Sequence, residues 1–321
     1  MSDAEIIATG PVDPIVNEIL RPFGKVAIAQ DTSEESLVAL VSDSVALIVR
    51  GVVPISGRVI NSAKRLRVIG RTGAGYSNVD IAAATAKKIP VVYTPGANDR
   101  AVAEAAITMM LALSKRIVYW DQQLKAGNWQ SRFNITNGDL DGSVLGIIGF
   151  GRIGQMLARL VRPFNMTVLA FDPFATTETA GELGVSLTDL DSLLGQSDFI
   201  CIHAALTDQT LCLIDRDRLK RVKRGAFLVN LARGEIIESL DILHDALADG
   251  RLAGVGLDVF APEPPDVNHP IFKFPNCLTA PHTLASTHGA MTRIFTSIAE
   301  DMAAVLSGRR PKYLVNSEAL P

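Results

Sequence analysis

Charge of a single sign, paired cysteines and long apolar runs are what this chain of 321 residues has little of. Its 31 basic and 34 acidic residues nearly cancel, leaving −3 at neutral pH, and no five like charges stand together. Neither nucleic acid nor an anionic membrane is therefore expected as its main partner. The three cysteines, Cys201, Cys212 and Cys277, are an odd number set far apart, and two lie in or beside apolar runs. They read as reduced core thiols rather than a disulfide framework or a metal site. No apolar stretch approaches the ~18 residues of a membrane span, and the opening Met-Ser-Asp-Ala-Glu-Ile-Ile lacks the basic and apolar parts of a secretion signal. A cytoplasmic protein is the expectation. Solenoid repeats, low-complexity tracts, a Gly-x-Ser-x-Gly elbow and metal-ligand spacings are missing as well, which argues against a serine esterase or a metal centre.

What is present is alternation. Apolar runs at Ile6–Ala8, Val26–Ala29, Ala46–Val49, Leu66–Gly70 and Val91–Tyr93 are separated by helical patterns such as 34–41 and 79–87. After a long helical stretch over 101–126, readable as one helix or two, a second series begins at Val144–Ile148. It continues through Val168–Phe171, Phe199–Ile202, Ala226–Asn230, Gly254–Asp258 and Cys277–Thr279. Such alternation predicts an α/β fold with two doubly wound parallel-sheet domains and a cleft between them. The final amphipathic helix, about 291–306, is expected to return to the first domain. The expected boundaries are 1–113 with 291–321 for a flavodoxin-like substrate domain, and 114–290 for a Rossmann nucleotide-binding domain.

The second series opens on Gly149-Phe150-Gly151-Arg152-Ile153-Gly154, directly after the apolar run Val144–Ile148. Gly149 permits a tight turn, Gly151 lets backbone approach a phosphate, and Gly154 lets helix and strand pack closely, while the helix N-terminus offers unpaired amides. The next run ends in Asp172, whose carboxylate suits a ribose diol and would repel a 2′-phosphate. NAD is thus the expected cofactor, bound by Gly149, Gly151, Arg152, Ile153, Gly154 and Asp172.

Three further residues stand beyond the carboxyl ends of separate strands. Arg233 follows Phe227–Ala232, where a planar guanidinium can hold a carboxylate and polarise a carbonyl, although position alone leaves an ordinary surface arginine equally open. Glu263 lies in a proline-stiffened loop, and His282 follows Pro281. A histidine paired with a carboxylate is held in one tautomer, as proton shuttling requires. His203 ends the strand 199–202, where structural packing and a cofactor contact are both open. His244, His269 and His288 read as structural or solvated.

Jointly these motifs resemble the D-isomer-specific 2-hydroxyacid dehydrogenases. The resemblance runs from Leu66 to about Thr287 and is carried by Gly70–Gly75, Asn78-Val79-Asp80, Pro90–Gly96, Ala101–Glu104, the glycine fingerprint, Asp172-Pro173-Phe174, Val229–Gly234, Asp258-Val259-Phe260 with Glu263-Pro264, and Pro281-His282. It implies hydride exchange between NAD and a small 2-hydroxy or 2-oxo acid, with His282 as acid/base, Glu263 as its support and Arg233 on the substrate. It also implies substrate contacts from Arg71, Ala74 and Gly75, Asp258 facing the nicotinamide, and a homodimer with Gly127-Asn128-Trp129 in the contact. Leu284, Tyr76, Ala205 and Glu235 depart from the family pattern, and the bulk of the first two bears on the substrate pocket. The alternative from another class is a nucleotide-sensing binding protein like the corepressors that resemble this family.

Overall fold

Runs such as Ala46–Val49 and Phe199–Ile202 are apolar at every position, which suits a parallel strand covered by helices on both faces. The computed structural model describes residues 5–320, and both runs are strands with all four residues buried. The chain divides into two packed units, Met1–Asn98 with Ser286–Pro321, and Asp99–Ala285.

In the first unit, β1 (Glu5–Ala8), β2 (Lys25–Ile28), β3 (Ala46–Val49), β4 (Val68–Arg71) and β5 (Val91–Tyr93) form a parallel sheet in the order β2-β1-β3-β4-β5. That is the flavodoxin-like winding. The helix His288–Leu306 packs on β4 and on the helix Pro14–Leu20, with Ile298, Ala299 and Met302 fully buried. Thr287 caps its start by accepting from the Ala290 amide. Asp301 in the same helix accepts from the Lys312 and Tyr313 amides and so pins the C-terminal segment, while burial pushes its carboxyl above the usual range.

In the second unit, β6 (Val144–Ile148), β7 (Thr167–Phe171), β8 (Val185–Leu187), β9 (Phe199–Ile202), β10 (Ala226–Asn230), β11 (Leu252–Leu257) and β12 (Cys277–Thr279) form a parallel sheet in the order β12-β11-β10-β9-β6-β7-β8. The winding reverses beside β6, so the carboxyl end of β6 is where a ligand of an open parallel sheet belongs. The stretch expected as one helix or two is two, Asp99–Ser114 and Ile117–Lys125, broken at Arg116 with φ +51°. By packing, the first of these lies on the helix Arg152–Val161 and on β10 and β11. The boundary therefore falls at Asp99, whereas the sequence reading set the junction after residue 113. Cys201 is buried in this core, and burial pushes its thiol up to about 12.

Candidate active site

Parallel strands end on one common edge of their sheet, and on that edge the second unit gathers the residues singled out above. Gly149 follows β6, Asp172 follows β7, His203 follows β9, Arg233 lies beyond β10, Asp258 follows β11 and His282 lies beyond β12.

Gly149 has φ +92°, and a Cβ there would stand 2.4 Å from the Ala204 nitrogen. At Gly154 a Cβ would stand 2.3 Å from the Gly149 oxygen, so helix and turn touch backbone to backbone. Gly151 is different: a Cβ would meet nothing within 4 Å, and this residue begins the helix Arg152–Val161 without a side-chain cap. The uncapped first turn borders open space, a cradle accessible to an anion such as a diphosphate. Asp172 borders it, with Oδ2 accepting from the Phe150 amide at 2.8 Å and Oδ1 from the Phe174 amide at 2.9 Å. A carboxylate has about four acceptor positions, so capacity remains for ribose hydroxyls.

His203 is only half-buried as a residue, yet both ring nitrogens are shut off from solvent and have no partner among the described residues. Burial pushes its pKa down to about 4, so the ring is neutral at physiological pH. Its backbone carbonyl carbon would lie 2.7 Å from a Cβ on Gly149, which places His203 against the cradle. The open turn, the bordering carboxylate and the orphaned ring nitrogens fit a dinucleotide.

Beyond β11 and β12 stands an acid–imidazole pair. His282 Nδ1 lies 2.9 Å from Glu263 Oε2 and 3.1 Å from Oε1. Oε1 also accepts from the Phe260 amide at 3.1 Å, fixing the carboxylate. An ionised carboxylate only accepts, so Nδ1 carries the proton of that bond and Nε2 is left to exchange one. The imidazole is 39% exposed and the acid 18%, so the ring reaches outward from a covered anchor. His282 itself has φ +51°, a region sparsely occupied by residues with a side chain. Asp258 holds that conformation by accepting from the Thr283 amide at 2.9 Å and the Leu284 amide at 3.1 Å. Burial pushes the Asp258 carboxyl above its usual range, with the two amides working against the shift. Leu284 is half-buried and packs against the apolar layer that contains Met109 and Phe150.

Arg233 is fixed through its backbone. Asn230, wholly buried at the end of β10, donates from Nδ2 to the Arg233 carbonyl at 2.8 Å and accepts at Oδ1 from the Ala232 amide at 3.0 Å. A Cβ on Gly234 would stand 2.0 Å from the Phe260 carbonyl carbon, so the Arg233 turn rests directly on the loop that carries Glu263. Asn230 is a supporting residue that the sequence reading misses. Its signal is a lone polar residue closing an otherwise apolar strand, where a buried amide must find partners.

The first unit carries the other expected substrate contacts. Arg71 is buried at the end of β4, where Nε donates to Asn78 Oδ1 at 3.1 Å and Nη1 to the Thr72 carbonyl. It thereby braces the following turn. Thr94, fully buried, accepts at Oγ1 from the Gly73 amide at 2.7 Å and returns its own amide to the Gly73 carbonyl. The Ala74 and Gly75 amides have no acceptor among the described residues. Tyr76, beside them, is exposed and edge-on to Tyr93, with ring centroids 5.5 Å apart. Among the described residues no helix is long and apolar enough to cross a membrane, and no cluster of three or more His, Cys, Asp or Glu could hold a metal.

Residues 107–283 match the family model described as the NAD binding domain of D-isomer specific 2-hydroxyacid dehydrogenase. A D-3-phosphoglycerate dehydrogenase of Archaeoglobus fulgidus is 36% identical over 313 residues, which is 97% of this chain and 59% of the relative. The chain thus spans about three-fifths of that longer protein. A glyoxylate reductase of Korarchaeum cryptofilum is 35% identical over 302 residues, 93% of this chain and 88% of the relative. Among solved structures, the TT0316 protein of Thermus thermophilus superposes with a TM-score of 0.90 at 32% identity, covering 97% of this chain and 99% of its own.

Proposed function

The chain belongs to the D-isomer specific 2-hydroxyacid dehydrogenase family, and from that premise we propose that it interconverts a small D-2-hydroxy acid and its 2-oxo acid with NAD. The observation that carries this reading is the Glu263–His282 pair on the sheet edge that also holds the dinucleotide cradle. NAD, when bound, supplies or accepts the hydride at C2 of the substrate. Gly149, Gly151, Arg152, Ile153 and Gly154 hold its diphosphate, Asp172 takes the ribose hydroxyls, and His203 and Asp258 line its flank. The Asp172 carboxylate would meet a 2′-phosphate charge to charge, so NAD is preferred to NADP.

His282 gives a proton from Nε2 to the ketone oxygen in reduction and takes it back in oxidation. Glu263 keeps Nδ1 protonated and balances the imidazolium charge. Arg233 grips the substrate carboxylate and stabilises the charge that develops on the neighbouring oxygen. In the first unit, taken by itself, the Ala74 and Gly75 amides, on the turn braced by Arg71, offer two donors to a carboxylate. Mixing the protein with NADH and hydroxypyruvate, glyoxylate, pyruvate or phosphohydroxypyruvate tests the reading: saturable loss of NADH absorbance with at least one is expected, and none with any of them contradicts it.

We further propose that the protein is a homodimer. The helix Ile117–Lys125 buries none of its residues, and Leu124 and Phe133 are 60% and 74% exposed. The Arg132 guanidinium stacks 4.6 Å from the rings of both Trp129 and Phe133. Exposed aromatics around an arginine are the composition of a contact surface. Sedimentation of a Leu124→Glu, Phe133→Glu variant is expected to show a monomer where the parent chain is a dimer, and an unchanged mass in the variant counts against this surface.

A further inference from the structure

The helix Arg152–Val161 begins with a cation. An arginine in a first turn adds to the positive end of the helix dipole, an unfavourable placement unless an anion stands near. Asp99 supplies one, accepting at Oδ2 from Arg152 Nε at 2.8 Å. The two partners are unequal. The Asp99 side chain is 11% exposed, whereas that of Arg152 is 64% exposed. Asp99 is also the first residue of the helix Asp99–Ser114, which packs along the helix Arg152–Val161. Asp99 is the covered anchor of the pair, and Arg152 is its solvent-facing partner.

Resting on the reading of Gly149–Gly154 as a diphosphate cradle, we propose that Asp99 is a positioning residue for the cofactor. By holding Nε it sets the guanidinium of Arg152 beside the cradle before any ligand arrives. A long exposed arginine otherwise loses much rotamer freedom when an anion immobilises it, and ordering it in advance removes that cost from binding. The opposing effect is repulsion between the Asp99 carboxylate and the diphosphate. The guanidinium that Asp99 holds at 2.8 Å offsets its charge and weakens that repulsion, so the ordering wins.

The test is a titration with NADH, followed by nicotinamide fluorescence, of the parent chain, Asp99→Asn, Arg152→Gln and the double variant. Asparagine keeps the shape of aspartate, and thermal unfolding checks that each variant is folded. Arg152→Gln is expected to raise Kd ~10-fold and Asp99→Asn ~3- to 10-fold, with the double variant no weaker than Arg152→Gln alone. A merely structural role for Asp99 would instead multiply with the loss of Arg152. Unchanged or tighter NADH binding by Asp99→Asn, or multiplicative effects in the double variant, overturns the proposal and leaves the cradle reading standing. An Arg152→Gln variant that binds NADH like the parent overturns the proposal in the same way, whereas a parent chain that does not bind NADH overturns the proposal and the cradle reading together.

Discussion

Replacing His282 by asparagine is expected to lower kcat by ~10³- to 10⁴-fold, the scale of a lost general acid, and to leave NADH binding nearly unchanged. Asparagine is the sharper choice over alanine because residue 282 has φ +51°, a conformation asparagine tolerates. The Asp258 bonds to the Thr283 and Leu284 amides depend on backbone alone and survive the change. What is lost is Nε2, together with the Nδ1 bond to Glu263 at 2.9 Å. Rates of NADH oxidation under saturating 2-oxo acid, set beside an NADH titration of the same variant, check both halves. Turnover within tenfold of the parent would remove His282 from the chemistry.

The second large effect is expected at Arg233. Its turn is held by Asn230 and by the contact of Gly234 with Phe260, neither of which involves the guanidinium, so Arg233→Ala should fold. The side chain donates from Nη1 to the Ala232 carbonyl at 2.7 Å, which orients the group. On the proposed role of Arg233, removing the guanidinium takes away the substrate's carboxylate clamp and the donor to the developing oxyanion. A fall in kcat/KM of ~10²- to 10³-fold, about 3–4 kcal/mol, is expected. Arg233→Lys keeps the charge but loses the planar fork, so it should recover only a small part of that loss. A lysine variant with parental kcat/KM would show that charge alone suffices and that the forked geometry is irrelevant.

Much of this site was legible in the sequence because its parts are short and locally determined. The glycines of 149–154 announce themselves by spacing, and the structure supplies the reason: two of them have no room for a Cβ and the third borders open space. Arg233, Glu263 and His282 were found as polar residues following apolar runs, and the sheet then placed them on one edge. Four things were hidden. β8 is Val185-Ser186-Leu187, three residues with a polar one at the centre, so no apolar run marks it. The helix Asp99–Ser114 is apolar over most of its surface, with Ala101, Ala103, Ala106, Met109 and Met110 all buried. Such a helix does not declare which core it joins, which is why the boundary was set some fifteen residues late. Asn230 and Asp99 act by holding other residues, across three positions in one case and fifty-three in the other, and no spacing rule links them to their partners. Leu284 drew attention for its bulk, and its contact with the layer around Met109 could be known only once the fold had brought those residues together.

On the proposed function, NADH bound at this edge of the second sheet would supply the hydride to C2 of a 2-oxo acid, and His282 would protonate the oxygen. The most direct measurement uses NADH deuterated at C4 with whichever 2-oxo acid is turned over, and reads the product by mass and by chiral separation. The predicted result is a D-2-hydroxy acid with deuterium at C2. A product of L configuration, or one whose C2 hydrogen comes from water, would contradict it.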